Sequence, residues 1–175
     1  MEKNNQVIKE ETEVYPLGFF QSNLLIRILV IFLGSGAFIG FFPFAPGSFA
    51  SLITLLFLYF SNASNPVFLF IFSTILFFVG VFICFILEKN WGKDPSRIVV
   101  DEVVGMSFSL IFLPKTYLIW GTAFIIFRFF DIVKPYPLKR FEKFKGGWGI
   151  MMDDIGAGIY TSIFVNIFVR LFRLV

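Results

Sequence analysis

Histidine is absent from this 175-residue chain, and cysteine occurs once, at Cys84. Without imidazole there is no His₃ zinc site, no Ser-His-Asp triad and no phosphohistidine chemistry. A single cysteine cannot close an intrachain disulfide. Cys84 lies inside an uncharged apolar run and reads as a small buried hydrophobe. Charge is also scarce, at 15% of residues, and the net +3 is too modest and too unevenly placed to suggest nucleic-acid binding. No repeat is present, and the only compositional bias is toward phenylalanine. The first residues lack the basic start and cleavage pattern of a signal peptide.

What fills the chain instead is apolar. Hydrophobic residues make up 57%, phenylalanine alone occurs 28 times, and the mean hydropathy is +0.83. A soluble domain of this length could not cover so much apolar surface. The expected class is an all-α, polytopic membrane bundle of about five to six membrane-embedded helices. Residues 1–23 read as a polar cytoplasmic tail and residues 24–175 as one membrane-embedded catalytic domain.

Leu24 to Phe42 is apolar but broken by Gly34, Gly36 and Gly40, so it either spans or re-enters. Ser48 to Phe60 is short, about 20 Å as a helix. Pro66 to Leu87 is the clearest span, uncharged and about 33 Å long. Ile98 to Leu113 and Lys115 to Val133 meet at a tight turn around Pro114, and Ile150 to Val169 comes last. Loop charge orients them. The Glu88–Arg97 loop holds Lys89, Lys93 and Arg97, and the Lys134–Gly147 loop holds five basic residues against Glu142 alone. Both are expected on the cytoplasmic side, although Arg170 and Arg173 pull the other way.

That orientation brings five acids to one depth: Asp101, Glu102, Asp131, Asp153 and Asp154. Charges near helix ends often only snorkel or complement the helix dipole. Short Asp side chains snorkel poorly, however, and the adjacent pairs Asp101-Glu102 and Asp153-Asp154 repel unless a cation lies between them. Arg128 and Lys134 flank Asp131 at three residues on either side, so all three would share a face of a continuous helix. The turn Pro46-Gly47-Ser48 opens a helix, with free backbone N–H groups and a hydroxyl suited to phosphate. Gly105, Gly156 and Gly158 read as close-packing positions. Carboxylates without histidine or thiolate suit a hard cation, best Mg²⁺, and the adjacent Arg and Lys suit phosphate. The combination implies phosphoryl chemistry on a lipid head group. A small cation or proton transporter with intramembrane carboxylates, or a scaffold with anchoring charges, are the alternatives.

The segments GSGAFIGFFPFAPGSFASL (34–52), IVVDEVVGM (98–106), FRFFDIVKPYP (127–137) and GGWGIMMDDIGAG (146–158) together resemble the phosphatidylglycerophosphatase A family. The resemblance runs from Gly34 to about Asn166. It implies a Mg²⁺-dependent, multi-pass enzyme of the bacterial inner membrane, with its active site at the cytoplasmic face. The implied reaction converts phosphatidylglycerophosphate to phosphatidylglycerol and inorganic phosphate. The family's acidic motifs fall on Asp101, Glu102, Asp131, Asp153 and Asp154 as metal ligands, with Asp101, Glu102, Asp131 and Asp154 catalytic. Its basic position falls on Lys134, and Arg128, Gly47 and Ser48 complete the substrate contacts. Ser48 stands where the family usually has threonine. A metal-activated water is the first mechanism, and an aspartyl-phosphate intermediate the second. Motifs of other phosphatases are missing: there is no DxDx[TV], and no Arg follows Cys84 by six residues.

Overall fold

The longest apolar run becomes the longest helix. In the computed structural model, which describes residues 23–61, 63–92 and 95–172, every regular element among those residues is helical. In order they are α1 (Leu24–Gly34), a 3₁₀ turn (Ile39–Phe41), α2 (Pro46–Phe60), α3 (Pro66–Trp91), α4 (Val100–Ser109), α5 (Tyr117–Val133), α6 (Leu138–Phe141) and α7 (Gly147–Leu171). Residues 1–22 of the tail expected over 1–23, and the loop charges Lys93 and Arg173, lie outside the described residues.

Helix starts divide into two kinds. Asn23, Asn65 and Thr116 each cap a helix with a side-chain oxygen, Asn65 Oδ1 accepting from Val67 N at 2.9 Å and Phe68 N at 3.2 Å. By contrast α2, α4 and α7 begin without a side-chain cap. Those three starts lie at the end of the molecule that carries the acids.

The all-helical architecture agrees with the expectation, while the number of spans is narrower than the five to six embedded helices expected. Only α3 and α7, with 26 and 25 residues, are long and apolar enough to cross a membrane among the described residues. The first segment stops as a helix at Gly34. The chain then turns through Gly36, Ala37 and Phe38, all at positive φ, where the glycine avoids the Cβ penalty. The segment expected over Ile98 to Leu113 forms only ten residues of helix, about 15 Å. It does not span. It is the buried centre of the molecule, packed against α2, α3, α5 and α7.

Two apolar clusters hold α4. One gathers Met106, Leu110, Trp120, Phe127, Leu138 and Val165. The other gathers Ile83, Cys84, Leu87, Val100, Val104 and Met151. Small residues let α4 and α7 approach. A Cβ on Gly105 would lie 2.7 Å from the carbonyl oxygen of Asp154, and one on Gly158 would strike the carbonyl oxygen of Gly105. The close-packing reading of these glycines therefore agrees with their surroundings. The α4 hydroxyls stay inside the helix: Ser107 donates to Val103 O and Ser109 to Met106 O, each at 2.7 Å. Outward faces are apolar, with Phe70, Ile75, Phe78 and Phe82 of α3 exposed. An exposed apolar surface this large matches lipid rather than water.

Candidate active site

Four helices and the segment that leads into α4 meet at a cavity of about 260 Å³. Ala45, Pro46 and Gly47 reach it from the start of α2, and Asp101 and Glu102 from the first turn of α4. Arg128, Asp131 and Lys134 come from the end of α5, and Asp153 and Asp154 from α7. Pro95, Ser96, Ile98 and Ile150 complete the wall. All five acids singled out from the sequence, both bases and Gly47 thus surround one space. Ser48, half buried in the next position of α2, does not line it.

The acids divide by partner. Asp101, Glu102 and Asp154 each offer an oxygen, and these atoms lie within 4.8 Å of one another. Asp101 Oδ1, Glu102 Oε2 and Asp154 Oδ2 are buried without a hydrogen-bond partner. Three such oxygens packed together are costly unless a cation joins them. Their hard-oxygen character fits a metal ion of the Mg²⁺ or Ca²⁺ type and not a thiophilic one. Asp131 and Asp153 line the same cavity, but each spends an oxygen on a base. Arg128 Nη1 lies 2.7 Å from Asp131 Oδ2 and 3.9 Å from Glu102 Oε1. The closer pair is not aligned as a hydrogen bond, and Arg128 Nε has no partner, so guanidinium donors remain for a ligand.

Lys134 reaches the acid cluster, though not along a helix face shared with Asp131. A shared face with Asp131 requires the helix to continue, yet α5 ends at Val133, and Lys134 is its left-handed cap with φ 46°. Pro135 follows and disfavours helix at the preceding residue. The ammonium instead lies 2.6 Å from Asp153 Oδ2 and 2.7 Å from Glu142 Oε1. Burial alone would lower its pKa, but the two carboxylates outweigh burial and hold it above the ordinary lysine value of 10.5. Glu142 is the functional neighbour that the sequence reading missed. Its one signal was its isolation as the sole acid of a basic loop.

Asp153 and Asp154 are the seventh and eighth residues of α7, about 10 Å along the helix from its start. The loop folds back over them. Leu138 of α6 is buried, and a Cβ on Gly156 would strike its side chain. At the opposite wall, a Cβ on Gly47 would strike Glu102 Oε1, so only glycine lets the α2 backbone rest on that carboxylate. The uncapped starts of α2 and α4 add partial positive charge beside the acids.

The sequence pattern of the phosphatidylglycerophosphatase A family matches residues 32–169. A Bacteroides thetaiotaomicron protein provisionally named a phosphatidylinositol-3-phosphatase is 41% identical over 147 residues, covering 79% of this chain and 92% of its own length. The phosphatidylglycerophosphatase A of Haemophilus influenzae is 38% identical over 158 residues, covering 88% of this chain and 94% of its own. That of Escherichia coli is 36% identical over 139 residues, covering 78% of each. No solved structure matches. With the pattern spanning every element of the cavity, the chain belongs to the phosphatidylglycerophosphatase A family of phosphatases.

Proposed function

We propose that the chain is a Mg²⁺-dependent phosphatase that hydrolyses phosphatidylglycerophosphate to phosphatidylglycerol and inorganic phosphate. The observation that carries this reading is the pairing of two charge types in one cavity. Three carboxylates, each with a buried oxygen that has no hydrogen-bond partner, come within 4.8 Å of one another beside two bases that line the same cavity. Five carboxylates against two bases would repel a phosphomonoester, so a bound cation is needed before the substrate can enter.

Asp101, Glu102 and Asp154 would hold Mg²⁺, with Asp131 and Asp153 in reach as further ligands. Bound there, Mg²⁺ would lower the pKa of water and neutralise phosphoryl oxygens. Arg128 and Lys134 bind the phosphomonoester and offset charge that develops on it in the transition state. The first turn of α2 supplies backbone N–H groups around Gly47 and Ser48. Water is the attacking group in this reading; attack by one of the aspartates is the second course.

The same reading places the protein in the bacterial inner membrane with the cavity on the cytoplasmic side, because the basic loop 134–147 folds over it. A cation or proton path would string carboxylates through several depths, whereas these five line one cavity. The deciding experiment is phosphate release by the purified protein from phosphatidylglycerophosphate in detergent, with and without Mg²⁺. Phosphatidylinositol 3-phosphate belongs in the same assay, given the name of the Bacteroides relative. No release from phosphatidylglycerophosphate in the presence of Mg²⁺ would overturn the proposed reaction.

A further inference from the structure

Lys134 has two carboxylate partners, and they are unequal. Asp153 is fixed in α7 with its side chain 7% exposed, while Glu142 stands at the end of α6 with its side chain 48% exposed. An ion pair half open to water is worth little net and exchanges readily. A buried one costs several kcal/mol to break, because it strands a charge. Glu142 is therefore the partner that Lys134 can give up.

Its position gives the exchange a direction. Glu142 lines a second cavity of about 360 Å³ with Glu88, Phe144, Gly146 and Gly149, and that cavity shares Ile150 and Asp153 with the acid cavity. The Lys134–Glu142 bridge lies where the two adjoin. The loop carrying Glu142 is pinned by Leu138, which is buried against Gly156. Glu142 is thus held beside the ammonium by packing as well as by charge.

We infer that Glu142 is a positioning residue that competes with phosphate for Lys134. It holds the ammonium at the cavity when no phosphate is present, yields it to a phosphate oxygen, and takes it back as phosphate leaves. Asp153 keeps its bond to Lys134 throughout. This rests on the reading that the acid cavity takes a phosphomonoester. Binding then costs the Glu142 bond and release recovers it, so Glu142 weakens the hold on substrate and product alike and hastens release.

Glu142→Gln tests this, with inorganic phosphate as the probe. An ion pair half open to water is worth up to about 1 kcal/mol, enough for a change of roughly two- to fivefold. The inhibition constant for phosphate and the KM for lipid substrate are expected to fall by about that factor, with kcat unchanged or lower. A merely structural role would lower kcat without tightening phosphate. Thermal unfolding in detergent gives the second readout and needs no turnover. With Mg²⁺ present, phosphate is expected to raise the Tm of Glu142→Gln more than that of the parent protein. In a Lys134→Ala background, Glu142→Gln should change neither phosphate response. Phosphate binding that is equal or weaker in Glu142→Gln, or a shift that persists without Lys134, overturns the inference. Absence of lipid phosphatase activity in the parent protein would overturn the proposed reaction instead, and the unfolding arm would still decide the exchange.

Discussion

Asp154 and Asp101 are the acids whose loss should be least tolerable. Each contributes a buried oxygen that no protein donor satisfies. Asp154→Asn and Asp101→Asn keep volume and remove charge, so the fold should persist by circular dichroism in detergent. Phosphate release should fall roughly 10²-fold or more, as when other groups that stabilise transition-state charge are removed. Full activity in either variant removes that residue from the site. The bases separate by kinetics. Lys134→Ala should lower kcat by a similar factor, because its ammonium lines the cavity. Lys143 is exposed in the loop and should act only by attracting anionic lipid, about 1 kcal/mol and screened by salt. Lys143→Ala should raise apparent KM at low salt and little at high salt. Alkaline loss of activity will not report Lys134. Its folded pKa is raised, so its ammonium is fully charged below 10.5 and is lost only as pH climbs through the higher folded value. The spacing rule paired Arg128 with Asp131 correctly, three residues apart. It does not extend to Lys134, which stands past the end of α5 as a left-handed cap, although its ammonium does meet an acid of the cluster, Asp153. Nor can any local spacing join Lys134 to partners 8 and 19 residues away.

Elements carry their own test through glycine. Gly105→Ala would press a methyl group against the Asp154 carbonyl and the Phe127 ring at 2.7 to 2.9 Å. Overpacking of this kind costs about 1–3 kcal/mol, and here it also displaces the α7 backbone at an acid of the site. Both Tm and activity should fall. Gly121→Ala is the control, since nothing lies within 4 Å of that position in α5. Replacing an interior helical glycine by alanine should leave activity intact and raise stability by about 0.5–1 kcal/mol. Gly47→Ala falls between the two. The atom it meets is the tip of a flexible Glu102 side chain, so Tm should hold while activity drops. At this scale the sequence was legible where apolar runs were long and uninterrupted, as in α3. It was not legible at α4, where an apolar run marks the buried centre of the molecule. Composition cannot distinguish a neighbour made of lipid from one made of protein.

For the whole molecule, the expected dependence on metal and on membrane side can be measured directly. EDTA should inactivate the purified protein and Mg²⁺ should restore it; activity that survives chelation would remove the cation from the site. Orientation can be read by thiol labelling, because the one native cysteine, Cys84, is fully buried. A cysteine placed at Lys143 should be labelled from the cytoplasmic side of the membrane. Labelling from the opposite side alone would invert the proposed topology.

Solvent and chemistry were determined by sequence alone. A chain so rich in phenylalanine needs an apolar surrounding, and one without histidine, with a single cysteine and with clustered acids, is left with hard-cation and phosphate chemistry. These follow from residue type and hold in any fold. Tertiary structure decided how the charges were shared. Arg128 took Asp131 and stands 3.9 Å from Glu102, Lys134 took Asp153 and Glu142, and Asp101, Glu102 and Asp154 were each left with a buried oxygen that has no hydrogen-bond partner. That division depends on where α5 ends, on how closely glycine lets α4 approach α7, and on a loop folding back over α7. Each is a contact between residues far apart in the chain, and only packing in three dimensions selects among the pairings that the sequence permits.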